Sequence, residues 1–362
     1  MIANLRVPEH PVDTEPKASV RAVAARTRKK NIPVALLILV SPFLVAWLSL
    51  FLGAYGVSPG TVLRALGGLI VPGLNPSHAA ESSIILDIRL PRVILAGLVG
   101  LSLSGSGVVL QGVFRNPLVD PFILGIPAGA SLGCALSVGF LPGWPVQTMA
   151  FVFGMAAVGM TYGMAKTQGE VSRLPLILSG VIVSAFFTAM VSVIKFLVDP
   201  NKLQSIVFWL MGSFSLADWR QVRIAAVGVV LGLTPVVVMR WRLNIMSMGE
   251  DEARALGVHV KRDRFVFIFC TSLAVSLAVS VSGIIGWVGL MAPHLVRMLV
   301  GPDHRTLVPL SIAWGAAFMI LADTIARNLT SFDVPVGIIT ALLGAPFFVF
   351  LMRRGGKESW GK

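Results

Sequence analysis

The sequence predicts an all-α integral membrane protein of about ten transmembrane helices, with both termini in the cytoplasm and short cytoplasmic helices between two of its spans. Three observations predict this class. Of 362 residues, 55% are hydrophobic and only 13% charged, roughly half the charge of a soluble domain. Apolar runs of about 20 residues, the length needed to cross the hydrocarbon core, recur along the chain. The basic residues sort by side: with the N-terminus inside, 22 of the 30 Lys/Arg fall on cytoplasmic segments and 7 outside, leaving Lys195 within a span. Such an excess marks the cytoplasmic face.

The elements follow in order. Residues 1–33 are polar and Pro-bearing, carry the basic run Arg26-Thr-Arg-Lys-Lys30, and are expected to be disordered or to lie on the surface. The first apolar run begins near Val34 and is long enough to span, so no cleavable signal peptide is expected. The spans are predicted at 34–55, 92–113, 120–140, 146–166, 174–198, 222–240, 265–282, 284–300, 307–326 and 335–352. Those at 265–300 form one long run divided only at Ser282-Gly283. Pro117, Pro121, Pro127, Pro293 and Pro346 stand at span ends or inside spans, where they end helices or break them against protein. The 36 glycines, with frequent Ser and Ala, predict a closely packed bundle. The transmembrane unit is thus 34–354, with a cytoplasmic tail at 355–362.

Several function classes are excluded. There is no phosphate-binding Gly-Lys-Ser/Thr loop, and His10, His78, His259, His294 and His304 lack metal-ligand spacing. No catalytic or metal site is therefore expected. Cys134 and Cys270 fall in apolar segments and read as inert core thiols. The net charge of +13 follows the loops, which is a topology signal rather than a nucleic-acid footprint. An ion-gradient transporter needs ionisable groups at the bilayer midplane. Here Lys195 and Asp323 lie near outer span ends; Lys195 can snorkel outward, and Asp323 is expected to pair with Arg327 one turn on.

Four polar segments remain. Arg240–Arg264, within a cytoplasmic loop at about 241–264, holds 6 Lys/Arg and 4 Asp/Glu between long apolar runs. Its apolar positions predict two short amphipathic helices broken near Gly249 and Gly257, serving either as a solvated loop or as a docking surface for a soluble partner. Arg89-Leu-Pro-Arg92 opens the second span with a basic pair that suits either lipid headgroups or carboxylates of an extracytoplasmic partner. At the inner end of that span, Gln111 to Pro121 reads as a turn, or as a gate built on Asn116 and Leu118. His294 and Arg297 lie one helical turn apart near the cytoplasmic face.

Taken together, Arg89-Leu-Pro-Arg92, Gln111–Pro121, Leu124-Gly-Ile-Pro-Ala-Gly-Ala130, Phe208-Trp-Leu-Met-Gly-Ser213 with Asp218-Trp-Arg-Gln221, Gly249-Glu through Leu256-Gly257, Gly286–His294, and Pro335-Val-Gly337 with Leu343-Gly-Ala-Pro346 are specific. From about Val34 to Arg354 the chain resembles the permease subunits of the iron-siderophore, haem and cobalamin ABC importers. The resemblance implies that Leu243, Met246, Met248, Gly249, Glu250, Ala253, Arg254, Leu256 and Gly257 belong to coupling helices that fit a cleft on an ATPase subunit. It implies that Arg89, Arg92 and Arg327 meet acidic residues of a substrate-binding protein, and that Asn116, Leu118, Val171 and Ser172 form the cytoplasmic gate. The implied partners are two ATPase subunits carrying ATP and Mg, a second copy of the permease, an extracytoplasmic binding protein and the lipid bilayer. This chain would bind no cofactor itself. The implied cargo is a metal chelate, with ferric siderophore first and haem or cobalamin next; an oxyanion such as molybdate also fits. Residues 1–33 and Pro127 depart from the family pattern.

Overall fold

The computed structural model describes residues 17–53, 55–68, 79–167, 170–330 and 332–355. Residues 1–16 of the N-terminal segment and 356–362 of the tail lie outside the described residues.

The first helix, α1, runs Lys17–Phe51, so residues expected to be disordered continue the first span as helix. Ala, Lys and Arg crowd residues 17–30, and these are strong helix formers. Two short helices follow, α2 Pro59–Gly68 and α3 Ala79–Ser83. A π-helical segment at Ile84–Arg89 leads into α4, Leu90–Phe114. The third span, predicted at 120–140, is shorter. Asp120 and Pro121 open a 3₁₀ turn, Gly125 adopts a left-handed φ of 85°, and only then does α5 begin at Ile126–Gly139. Pro127 therefore starts a helix rather than breaking one, as suits its missing N–H.

Next come α6 Val146–Ala165, a two-residue hairpin pairing Lys166 with Val171 and Thr167 with Glu170, and α7 Arg173–Leu197. After it comes α8, Pro200–Leu210. The sixth span is α9 Trp219–Gly228, joined through a π-helical segment to α10 Thr234–Met248. The remaining helices are α11 Glu250–Ala255, α12 Val260–Ser282, α13 Val288–Val300, α14 His304–Leu329 and α15 Val336–Gly355. The expected division at Ser282-Gly283 is thus present. Among the described residues, seven helical runs are long and apolar enough to cross a membrane, and three shorter apolar helices complete the ten expected spans.

Aspartates begin several of these helices. The Asp199 carboxylate accepts from the Asn201 and Lys202 amides, Asp218 from Gln221, and Asp303 from Arg305. Each satisfies amides that the first turn leaves without partners.

The core is organised around α4, which packs against α12, α13 and α14 and touches α1 and α10. Glycines make this possible. A Cβ at Gly107 would overlap the Gly289 carbonyl on α13, and one at Gly100 would overlap the Gly315 carbonyl on α14. Close backbone approach of this kind is how membrane helices gain packing where hydrophobicity cannot drive association. Both cysteines are buried and free.

Candidate coupling and gating site

The polar island Arg240–Arg264 is built differently from the expected pair of short helices. Its first half continues α10 to Met248, and only Glu250–Ala255 forms a separate short helix. The break falls at Gly249, as expected, and Gly257 takes a φ of 77° that favours glycine. Polar side chains hold the extension in place. Arg242 donates to both oxygens of the buried Asp263 on α12, at 2.9 and 3.0 Å. Asn244 accepts from the His304 amide at 2.9 Å and donates to Asp303 at 2.6 Å.

Glu250 is the hub of the short helix. Its carboxylate pairs with Arg264 of α12, with Arg173 of α7 at 3.5 Å and with Arg254 at 4.0 Å. Burial pushes its carboxyl up, but the Arg264 hydrogen bond and the charges of Arg264, Arg173 and Arg254 outweigh it and hold the group below its ordinary value.

The resulting surface has two sides. Leu243, Met246 and Ala253 are buried against the bundle. Three of the residues read as ATPase contacts therefore pack inward, because an amphipathic pattern marks an apolar face without saying what covers it. Met248 and Leu256 face the other way, 65% and 59% exposed, among the exposed Asp251, Glu252 and Arg254. Gly257 is exposed, Glu250 half-buried and Gly249 buried.

The residues expected to form a gate lie beside this segment. Asn116 and Leu118 are exposed in a turn in which the Asn116 side-chain oxygen accepts from the Leu118 amide at 2.9 Å. The preceding residue, Arg115, caps α4 with a left-handed φ of 53° and donates from Nε and Nη2 to the Met246 carbonyl at 2.8 and 2.5 Å. Arg115 lies inside the Gln111–Pro121 motif, but only as a basic residue beside the Asn-Pro stop, with no partner legible in the sequence. Ser172 is exposed at the start of α7, and Val171 ends the hairpin, its side chain lying outside the described residues. Arg297, one turn from His294, donates to Gln111 of α4 at 2.8 Å.

The three arginines expected to meet a binding protein are held by partners within the chain. Arg89, Arg92 and Arg327 are 4%, 7% and 6% exposed. Arg89 donates to the Leu50 carbonyl at 2.9 Å and to the Tyr55 carbonyl. Arg92 forks onto Asp323 and reaches Asp333 at 2.9 Å. Arg327 donates to the Ser49 carbonyl and hydroxyl at 2.5 and 2.6 Å. All three therefore donate into the bundle and are nearly buried in this chain. Asp323 accordingly pairs with Arg92 rather than with its helical neighbour Arg327. Lys195 sits two residues from the outer end of α7, where snorkelling is short.

The chain matches the FecCD transport family over residues 37–354. It is 47% identical over 280 residues to the probable iron chelatin transport system permease protein of Helicobacter pylori, covering 77% of this chain and 85% of that one. It is 41% identical over 323 residues to the molybdate import system permease protein MolB of Haemophilus influenzae, covering 86% and 94%. A solved structure described as an inward-facing conformation of a metal-chelate type ABC transporter superposes with a TM-score of 0.79 at 37% identity, covering 89% of this chain and 99% of that chain. The matched segment takes in the Asn116–Leu118 turn, the polar island and most of the first span with every later one, and the chain therefore belongs to the FecCD transport family as a membrane permease subunit of an ABC importer, not an enzyme.

Proposed function

We propose that this chain is the translocating subunit of an ATP-driven importer of ferric siderophores or similar iron chelates in the cytoplasmic membrane of a bacterium or archaeon. Two copies enclose the pathway, two ATPase subunits holding ATP and Mg dock beneath, and an extracytoplasmic protein delivers the cargo.

The observation that carries the ATPase-docking reading is the exposure of Met248 and Leu256 on a charged, water-facing segment. Large apolar side chains held in that setting mark a surface that another protein covers. The segment is also braced from behind by Arg242–Asp263 and Arg264–Glu250, so a push on its exposed face passes into α12. A nucleotide-driven change can act here only if the ATPase states contact this face differently.

The iron-chelate reading draws on the likeness to the Helicobacter pylori permease. A second cargo, molybdate, is favoured by the likeness to MolB, which extends over more of both chains. Haem and cobalamin are the further candidates that the sequence resemblance suggested. Vesicles holding the permease with its ATPase and binding protein separate them. Under the first reading, labelled ferric siderophore accumulates with ATP and is not displaced by excess molybdate. Accumulation of molybdate alone would replace the iron reading by the oxyanion one.

A further inference from the structure

Two arginines tie the coupling segment to the two gate elements, and they attach on opposite sides of Gly249. Arg115 immediately precedes Asn116 in the chain and donates twice to the Met246 carbonyl. That carbonyl belongs to the last turn of α10, where carbonyls lack partners within the helix. Arg173 immediately follows Ser172, begins α7, and reaches Glu250 of α11 at 3.5 Å. Between Met246 and Glu250 the helix is interrupted at Gly249, whose backbone is fully extended at φ 166° and ψ 161°. The α10 end and α11 can therefore shift relative to each other, and each carries its own arginine.

The local geometry is stiff enough to pass on a displacement. Arg115 holds a left-handed conformation that side-chain-bearing residues rarely adopt and that persists only where surroundings enforce it. The next turn is closed by the hydrogen bond from the Leu118 amide to Asn116. Movement of the Met246 carbonyl thus reaches Leu118 through three consecutive residues. On the other side Glu250 is shared between Arg173 and Arg264, so movement of α11 bears on the start of α7 and the hairpin before it. Arg fits both places because its planar fork presents fixed, divergent donors, whereas a lysine ammonium would hold charge without direction.

We propose that Arg115 and Arg173 are positioning residues that transmit movement of the 246–256 segment to the gate turn at Asn116–Leu118 and to the gate element at Val171–Ser172. This deepens the coupling-and-gate reading above and rests on it.

The test uses the full permease with its ATPase and binding protein in liposomes. A Leu118→Cys variant reports the gate through its reactivity toward a polar thiol reagent, with and without trapped nucleotide; Cys134 and Cys270 are buried and serve as silent background. With Arg115 and Arg173 intact, reactivity changes with nucleotide state. Arg115→Ala and Arg115→Lys are expected to abolish that change and to lower uptake per ATP hydrolysed about tenfold, while the ATPase still associates and hydrolyses. Arg173→Ala is expected to lower uptake per ATP in the same way while leaving the Leu118→Cys response in place. Because Arg115→Ala can also disturb folding, Arg115→Lys and Arg173→Ala are read only in preparations whose thermal unfolding matches the parent. Full nucleotide response and full uptake in those variants would overturn the proposal. Failure of the parent Leu118→Cys chain to respond at all, with ATPase bound and active, would overturn the gate reading beneath it and the linkage with it.

Discussion

The guanidinium of Arg92, near the start of α4, meets the carboxylate of Asp323 on α14 at 2.9 Å, with the Asp323 side chain only 1% exposed. The two residues are 231 positions apart, and their pairing fixes the outer ends of the two most intimately packed helices. A buried pair of this kind is worth most when seen from its loss, because removing one partner strands a charge. Arg92→Met is expected to destabilise the isolated permease by about 3–5 kcal/mol, read by thermal unfolding in detergent with no binding protein present. Adding Asp323→Leu should recover most of that loss. If Arg92→Met left unfolding unchanged and weakened only the binding protein's affinity, Arg92 would be a docking residue after all.

Met246 and Met248 lie two residues apart and should behave oppositely. Met246 is buried, so Met246→Glu places an unpaired charge in the bundle and should lower stability by several kcal/mol, on the order of the cost of a buried ion. Met248→Glu touches only the exposed face and should shift unfolding by less than about 0.5 kcal/mol. Parallel melting curves of the two variants distinguish them; equal stability would mean that the α10 extension is not packed as described.

Glu250 gives the coupling segment a pH dependence. Burial raises its carboxyl, but the Arg264 hydrogen bond and the surrounding arginine charges leave it below the ordinary glutamate value, which is about 4.3. A carboxylate depressed in the folded state contributes stability that is fully present above its unfolded value and disappears as pH falls through the folded value. Hydrogen exchange over residues 249–256 should be unchanged in protection from about pH 8 to about pH 5, after correction for intrinsic rates, and should rise on further acidification. Glu250→Gln should show the weaker protection at every pH. Its side chain is 39% exposed, so solvent screening keeps the effect modest.

Gly107 is required by space. A Cβ there would run into the Gly289 carbonyl, whereas Gly159 on α6 has open space around it. Gly107→Val should push α4 from α13 and cost about 1–3 kcal/mol, while Gly159→Ala should be neutral or slightly stabilising. Equal melting temperatures for the two variants would contradict the close helix approach.

Much of this architecture was legible in the chain. The spans announced themselves because the bilayer imposes a length and a composition on every crossing helix, and Asp199, Asp218 and Asp303 sit where helices start for reasons that are local. What the sequence concealed depends on faces and on long-range pairs. Leu243 and Met248 both read as apolar positions of one amphipathic stretch, yet one points into the bundle and the other into water. Arg92 and Asp323 carry no mutual signal, and the helical spacing to Arg327 suggested a nearer partner for Asp323. Arg115 lies within the Gln111–Pro121 motif, but its contact with the Met246 carbonyl depends on where the α10 end packs. Residues 17–33 are polar by composition, yet their Ala, Lys and Arg favour helix, and they continue the first span.

The central claim is that the exposed face bearing Met248 and Leu256 is where the ATPase docks. It is tested most directly by co-isolating the ATPase subunit with the permease, comparing the parent chain with a Met248→Glu, Leu256→Glu double variant of equal thermal stability. The account predicts that the parent retains the ATPase and that the double variant loses it, with ATP-driven uptake abolished. Retention of the ATPase and undiminished uptake by the double variant would contradict it.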